Sequence, residues 1–197
     1  MTTRTALFGG TFDPIHDAHL EIARAALLRF GLDKVLFIPA ANPPHKPANE
    51  LAPYEHRVRM VEIACENEPA FEVSHIEEAS GSNEGQRSYS ILTIEKLLSA
   101  GHENLWFLIG ADAFAEIRTW YRWRDVIRLV DFIVVDRPGA QYEIPEGARV
   151  HPLSGLRIPH SSSEIRERLA AGDITVPVPP AVLRYIREQR LYRSQSS

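Results

Sequence analysis

The chain has 197 residues, of which 44% are hydrophobic and 24% charged, and its formal net charge is −4. These values are typical of a soluble globular protein and exclude collagen-like, low-complexity and disulfide-framework classes. At about 150 residues per domain, the length predicts a single domain over residues 1–193. In this domain a C-terminal helical part, from about residue 160, packs on the rest, and residues 194–197 form a tail. The negative net charge argues against a nucleic-acid partner.

The longest mainly apolar stretch, residues 126–135, is interrupted by Arg128 and Asp131. A membrane helix needs about 20 apolar residues, so the sequence predicts no membrane span. The N-terminal residues have too short an apolar run for a secretory signal. The single cysteine, Cys65, excludes an intramolecular disulfide and lies in an apolar helical pattern, where we expect a core residue. These features predict a cytoplasmic protein.

Apolar strands alternate with helical patterns along the whole chain. The predicted elements, in chain order, are a strand at 4–9, a helix at 17–30, a strand at 34–39, a helix at 54–67, a strand at 71–74, a helix at 90–100, a strand at 104–110, one or two helices within 113–130, a strand at 131–136, a short strand near Val150, and helices that begin near Ser162 and Pro180. Continuously apolar strands are typical of a parallel sheet that helices cover on both faces. The sequence therefore predicts an α/β fold of the Rossmann-like, doubly wound type, with a mainly parallel sheet and helices on both faces.

Ligands of such sheets bind beyond the carboxyl ends of the strands, so the residues after each strand are the candidates for a functional site. The first strand is followed by GGTFDPIHDAH at residues 9–19. Gly9 and Gly10 allow a close approach of the backbone to a ligand, and a helix N-terminus after such a turn attracts anions. Either Asp13–Pro14 or Asp17 can open the helix, because Asp caps well and Pro suits the first helical position.

His16 and His19 are three residues apart and therefore share one face of this helix or its lead-in. Two imidazoles beside backbone N–H groups can donate hydrogen bonds to phosphate oxygens. Two alternatives stay open on the residues alone: a metal pair, for which no obvious third ligand stands nearby, and ordinary surface histidines. A P-loop is excluded, since neither GxxxxGK[ST] nor GxGxxG follows the strand.

GGTFDPIHDAHL resembles the (H/T)xGH motif of the nucleotidylyltransferase superfamily. It is similar in particular to the longer pattern GGTFDPxHxGH of the bacterial nicotinate-nucleotide adenylyltransferases. Further segments resemble the same family in the same order, and these are PPHK (43–46), RSYS (87–90), IGAD (109–112), TWYRW (119–123), SSSEIR (161–166) and PPAVLRYIREQRLY (179–192). The similarity covers nearly the whole chain.

The resemblance implies a reaction in which the 5′-phosphate of nicotinate mononucleotide attacks the α-phosphorus of ATP. Pyrophosphate leaves, and nicotinate adenine dinucleotide forms. A phosphate monoester is largely deprotonated at neutral pH, so its direct in-line attack needs neither a general base nor a covalent intermediate. The expected partners are ATP and nicotinate mononucleotide, and the expected cofactor is Mg²⁺, bound through the ATP phosphates. No residue is assigned as a metal ligand, and a homo-oligomer is allowed.

The resemblance assigns the stabilisation of charge at the phosphates to four residues, which are His16, His19, Lys46 and Arg166. The residues expected to bind ATP are Gly9, Gly10, Thr11, Gly110, Asp112, Ser161, Ser162 and Ser163. Those expected around the mononucleotide are His45, Tyr89, Ser90 and Trp120. The stretch 161–166 combines hydroxyls, helix N–H groups and a guanidinium, with Ser162 or Ser163 as the predicted helix cap. Asp112 follows a strand, where a carboxylate accepts from ribose hydroxyls or caps the next helix.

Four positions depart from the family pattern: Ala18 replaces a Gly, Ser90 a Thr, Leu92 an Asp and His160 an apolar residue. We expect the last two to bear on the choice of acceptor rather than on the fold. Two other functions therefore stay open. One is a related nucleotidylyltransferase with another phosphorylated acceptor, such as the amidated mononucleotide or phosphopantetheine, and the other is a non-catalytic nucleotide-binding protein.

Overall fold

The computed structural model describes residues 3–43, 51–78, 87–137, 139–156 and 159–193. The strands are β1 (Thr5–Gly10), β2 (Lys34–Pro39), β3 (Phe71–Val73), β4 (Leu105–Gly110), β5 (Asp131–Val135) and β6 (Arg149–Leu153). The helices are α1 (Asp17–Phe30), α2 (Tyr54–Cys65), α3 (Ser90–Ser99), α4 (Ala111–Ala115), α5 (Trp123–Leu129), α6 (Ser162–Ala170) and α7 (Pro180–Glu188), with a 3₁₀ turn at Ile117–Thr119.

The strands form one sheet in the order β3-β2-β1-β4-β5-β6, and each neighbouring pair is parallel. This is the order of the doubly wound fold, in which the winding direction reverses between β1 and β4. The fold class predicted from the sequence is therefore confirmed. Ligands of this fold bind at the reversal point, outside the carboxyl ends of the strands.

A crevice opens at this reversal point because β1 and β4 separate before they end. The register of β1 with β2 runs the full strand, up to Gly10 opposite Pro39. The register of β1 with β4 stops at Leu7 opposite Phe107. The last residues of β1 and β4 consequently face each other across open space.

Alternate side chains of the strands enter two hydrophobic clusters, one on each face of the sheet. Ala6 and Phe8 of β1 belong to the cluster that α1, α2, α6 and α7 cover, and Leu7 belongs to the cluster that α3, α4 and α5 cover. Both faces are therefore buried, which explains why the strands are continuously apolar. Cys65 lies in the first cluster, as predicted for a core residue.

Most element bounds agree with the sequence prediction to within two residues. Helix α1 begins at Asp17, with His16 as the residue before its first turn, so the opening at Asp13–Pro14 is excluded. It ends at Gly31, whose φ of 58° is the left-handed conformation that glycine adopts easily. Helices α6 and α7 contribute side chains to the same cluster as β1. The extent of a single domain over 1–193 stays a prediction.

No helix among the described residues is long and apolar enough to cross a membrane.

Candidate active site

Two adjoining cavities lie at the carboxyl ends of β1 and β4. The central cavity, of about 210 Å³, is lined by Gly9 and Gly10 on one side and Trp120 on the other. The histidine cavity, of about 280 Å³, is lined by His16, His19, Arg137 and residues 160–163. Phe8 and Gly110 line both, so one bound molecule can extend from one cavity into the other.

His16 and His19 lie side by side at the start of α1, with ring centroids 3.8 Å apart. The backbone N–H of His16 donates to Nδ1 of His19 at 3.2 Å. A neutral His19 therefore carries its proton on Nε2, the nitrogen that can donate to a ligand. Phe8 and Phe12 pack edge-on against the His19 ring at 5.8 and 5.1 Å between centroids, which fixes its orientation.

Both histidines are neutral in the folded protein near pH 7. Burial, assisted by His160 and Arg137, lowers the pKa of His16 to about 4. Burial, the neighbouring His16 and Arg137 lower the pKa of His19 well below its usual value. The pair therefore supplies hydrogen-bond donors rather than two extra positive charges. The side chain of His16 faces the backbone N–H of His19 at the start of α1, and its buried Nδ1 makes no hydrogen bond of normal geometry within the described part of the chain.

The start of α6 forms the opposite wall of the histidine cavity. Ser161 caps the helix by accepting from the backbone N–H of Glu164 at 3.2 Å, so the predicted cap at Ser162 or Ser163 is wrong. The sequence could not decide among three adjacent serines. Ser162 instead donates to the carbonyl of Pro14 at 3.1 Å, which ties α6 to the loop before α1. The N-terminus of this nine-residue helix therefore faces the two histidines, in the position of an anion site.

Arg166 lies behind this wall and braces the loop. Its Nη1 donates to the carbonyl of Asp13 at 2.8 Å, and its Nη2 lies 3.3 Å from Oγ of Ser163. The guanidinium is thus already engaged, close to but not on the lining of the histidine cavity. Among the described residues, Arg137 lines the cavity two residues after the end of β5, and it was not predicted from the sequence.

Asp112 is exposed and forms an ion pair with Arg137, 3.3 Å from Nη1 to Oδ2. The residue before the first turn of α4 is Gly110, so Asp112 lies inside the helix and does not cap it. Its carboxylate stands at the rim of the crevice, between β4 and β5. The expected role of Asp112 towards a ribose stays a prediction.

An aromatic cavity of about 560 Å³ continues from the central cavity. Its lining residues are Arg87, Ser88, Tyr89, Ser90, Ala113, Glu116, Thr119, Trp120 and Tyr121. The structure thus brings together three of the four residues expected around the mononucleotide. Trp120 packs edge-on against Phe107 at 5.7 Å, and Tyr89 stacks on Tyr121 at 4.8 Å, so the walls are rigid aromatic surfaces. Helix α3 begins here, with Tyr89 as its flanking residue.

The departures from the family pattern fall in different surroundings. Leu92 packs against the hydrophobic cluster on the α3 face of the sheet and is not among the residues that line the three cavities. Ala18 is buried in α1. His160 lines the histidine cavity and lies 3.4 Å from the Glu164 carboxylate. Of the four departures, His160 therefore changes the chemistry of the histidine cavity, and Ser90 lines the other two cavities.

Two residues that the sequence analysis selected, His45 and Lys46, lie outside the described residues. Among those that are described, no group of three or more His, Cys, Asp or Glu could hold a metal ion.

Arg57 is a site residue that the sequence analysis missed. It is only 2% exposed, and its guanidinium donates to the carbonyls of Ala52, Thr11 and Ala40 at 3.0, 2.8 and 2.8 Å. It thereby holds together the loops that follow β1 and β2. Its spacing from Val61 and Cys65, four and eight residues later on the buried stripe of α2, is the signal that could have identified it.

Comparison with known proteins agrees with this geometry. Residues 7–168 match the family model described as cytidylyltransferase-like. A probable nicotinate-nucleotide adenylyltransferase of Solibacter usitatus is 58% identical over 191 residues, which cover 96% of this chain and 99% of that relative. One of Pelobacter propionicus is 42% identical, with coverage of 96% and 98%. The chain belongs to the nicotinate-nucleotide adenylyltransferase family. The family predicted from the motifs is thereby confirmed.

Solved structures share the fold of this family member. A Plasmodium falciparum nicotinic acid mononucleotide adenylyltransferase complexed with NaAD has a TM-score of 0.76 and 20% identity. The similarity covers 96% of this chain and 97% of that one. A likeness at this identity establishes the architecture, and the roles of individual residues rest on the site itself.

Proposed function

We propose that the chain transfers AMP from ATP to the 5′-phosphate of nicotinate mononucleotide, releasing pyrophosphate and forming nicotinate adenine dinucleotide. Membership of the adenylyltransferase family supports the reaction class. The observation that carries the proposal is the meeting of the histidine and central cavities at Gly110, with the aromatic cavity continuing beyond. A triphosphate in the first and a pyridine ring in the last would bring their reacting atoms together beside Gly10.

The reaction needs positioning and charge stabilisation more than proton transfer. The attacking phosphate is already an anion, so the lowered pKa values of the two histidines do not hinder the reaction. Neutral imidazoles that donate to the α- and β-phosphate oxygens stabilise the charge that builds up there as the bond breaks. Holding both substrates in line for the attack contributes the rest of the rate enhancement, as in other phosphoryl-type transfers.

The phosphate-binding groups come from three elements. His16 and His19 come from the start of α1, residues 161–163 offer the N-terminus of α6, and Arg137 adds a cation after β5. Arg166 supplies positive charge from behind the wall. We propose the same role for Lys46, by its place in the family motif.

The aromatic cavity suits a pyridine nucleotide acceptor. Trp120 offers an indole face on which an electron-poor ring can stack. The backbone N–H of Ser90, at the start of α3, is the kind of donor that a ring carboxylate requires, whereas that of Tyr89 already donates to the carbonyl of Arg87 at 2.9 Å. A carboxylate gains more from such donors than an amide does, which favours the acid form of the mononucleotide.

Mg²⁺ is best placed on the substrate. We propose that the ion is carried by the ATP phosphates, as Mg²⁺ commonly is in nucleotide sites. It would neutralise charge on the pyrophosphate as it leaves. We propose a cytoplasmic location, because a chain with a single cysteine has no intramolecular disulfide, as is usual in a reducing compartment.

The proposal is tested by pyrophosphate release with ATP and Mg²⁺, with nicotinate mononucleotide, its amide and phosphopantetheine offered in parallel. We expect turnover with the acid and at least tenfold lower kcat/KM with the amide, a difference of about 1.4 kcal/mol. A higher kcat/KM for the amide would mean that the groups near Tyr89 and Ser90 do not select the ring carboxylate. Turnover with phosphopantetheine alone, or with no acceptor, would contradict the proposal.

A further inference from the structure

The carboxylate of Asp13 is fully buried in the loop between β1 and α1. Its Oδ1 accepts from the hydroxyl of Tyr192 at 2.6 Å and from the backbone N–H of Ala52 at 3.3 Å. Its Oδ2 has no hydrogen-bond partner in the described residues and lies 3.7 Å from Nη1 of Arg166. The family motif contains this residue, yet none of the chemistry proposed above uses it.

A buried carboxylate is expensive unless its partners compensate the lost hydration. Both hydrogen bonds are accepted by Oδ1. Oδ2 lies beyond normal hydrogen-bond distance from the guanidinium of Arg166. Such an incompletely satisfied group is poor as a device for stability alone. The Asp13 carboxylate instead holds the side chains of Tyr192 and Arg166 next to each other.

The backbone on both sides of this contact is held in an unfavourable conformation. Tyr192 has a φ of 57°, and Phe12, next to Asp13, has a φ of 46°. Residues with a side chain rarely adopt this left-handed region, and each instance costs about 1 kcal/mol or more. Tertiary contacts must therefore hold both segments in place.

The contact joins parts of the chain that are 179 residues apart. It belongs to a set of bonds from the C-terminal elements to the loop that carries the histidines. Ser162 donates to the carbonyl of Pro14, and the backbone N–H of Asp17 donates to the carbonyl of Pro177. Of these three hydrogen bonds, the one from Tyr192 is accepted by a buried carboxylate, whereas the other two are accepted by backbone carbonyls.

Burial and the neighbouring Asp13 raise the pKa of Tyr192 well above its usual value. The phenol therefore stays protonated and can only act as the donor in this contact. Tyr192 is not among the residues that line the three cavities, and its hydroxyl contacts Asp13 rather than a substrate position.

We propose that Tyr192 and Asp13 are positioning residues of the adenylyl-transfer site. Through Arg166 and the loop of residues 11–16, they hold the two histidines and the N-terminus of α6 at the separation that a triphosphate requires. The C-terminal segment around Tyr192 thus contributes to the geometry of the active site. This inference rests on the function proposed above, because its effect is read in that reaction.

The test compares two tyrosine-to-phenylalanine variants from the same C-terminal region. Tyr192→Phe removes the hydroxyl that binds Asp13. Tyr185→Phe is the matched control, because its hydroxyl lies 2.8 Å from Nδ1 of His56 and connects α7 to α2, away from the cavities. Steady-state pyrophosphate release and urea unfolding are measured for both.

We expect Tyr192→Phe to lower kcat by about 10- to 100-fold, the effect of a displacement of about 1 Å in a positioned group. The KM for the mononucleotide should stay within about twofold, because the aromatic cavity is untouched. Tyr185→Phe should leave kcat unchanged and lower the urea midpoint less than Tyr192→Phe does, because its hydroxyl contacts a histidine rather than a buried carboxylate.

A double-mutant cycle with Arg166→Lys separates positioning from general destabilisation. If Tyr192 acts through Arg166, the losses in kcat of the two variants are non-additive, whereas independent losses simply multiply. Asp13→Asn is the second route should Tyr192→Phe fold poorly, since it keeps an acceptor oxygen for the tyrosine and replaces the oxygen that faces Arg166 with an NH2 donor. It is expected to show the same loss of kcat and the same coupling to Arg166.

Equal kcat for Tyr192→Phe and the unmodified chain, or multiplicative losses in the cycle, would overturn the inference while leaving the proposed function intact. Absence of turnover in the unmodified chain would instead overturn the proposed function and, with it, this role.

Discussion

Replacement of Arg57 by methionine is expected to destabilise the protein strongly. Methionine fills similar space but leaves the carbonyls of Ala52, Thr11 and Ala40 without the donors they now have. A buried acceptor left unsatisfied costs about 1–3 kcal/mol, and the three losses overlap because the loops can relax together. We expect the free energy of unfolding to fall by about 3–5 kcal/mol, a large part of the 5–15 kcal/mol typical of a domain.

The matched control is Arg59→Met on the same helix. Arg59 is exposed and pairs with Glu62 at 3.0 Å, so its replacement should change the free energy of unfolding by less than about 1 kcal/mol. Urea unfolding at one temperature, with linear extrapolation, measures both. Equal losses for the two variants would refute the reasoning that Arg57 holds the loops after β1 and β2.

Three further predictions concern the site. His19→Ala should lower kcat by about 100- to 1,000-fold, as loss of one oriented donor does, while the chain still unfolds cooperatively in urea at a midpoint lowered by the lost packing on Phe8 and Phe12; unchanged turnover would remove His19 from the mechanism. The free energy of unfolding should fall as the pH drops from about 6.5 to about 4, because the unfolded chain takes up protons there that folded His16, with its pKa of about 4, does not. His16→Gln should flatten this dependence in urea titrations at several pH values, and an unaltered slope would contradict the assigned burial effect. Trp120→Ala should raise the KM for nicotinate mononucleotide by about tenfold through lost stacking, and a change in the KM for ATP alone would place the pyridine ring elsewhere.

The parts of the fold that follow from local patterns were predictable. The bounds of α1 and β2 agree with the sequence prediction, because Gly31 ends the first and the apolar run defines the second. The fold class followed from the alternation of continuously apolar strands with helices, whereas the strand order was not predicted. Family motifs then placed the candidate residues at the strand ends.

The other features depend on contacts between residues that lie far apart in the sequence, and no local pattern predicts such contacts. Tyr192 and Asp13 are 179 residues apart, and neither segment contains a pattern that predicts their hydrogen bond. The spacing of Arg57 from Val61 and Cys65 indicates one face of α2, but the three carbonyls that its guanidinium binds there come from loops outside this helix and could not be predicted. Choosing the cap among Ser161–Ser163 required backbone geometry, since all three can accept from a helix N–H.

The central claim is tested most directly by following the α-phosphorus of ATP. ATP labelled at that position is incubated with the chain, Mg²⁺ and nicotinate mononucleotide, and the label and the pyrophosphate are quantified together. The account predicts that label enters a dinucleotide in equal amount with the pyrophosphate released, and that no label stays on the protein. Label on the protein before the acceptor is added, or release of pyrophosphate without labelled dinucleotide, would contradict direct transfer.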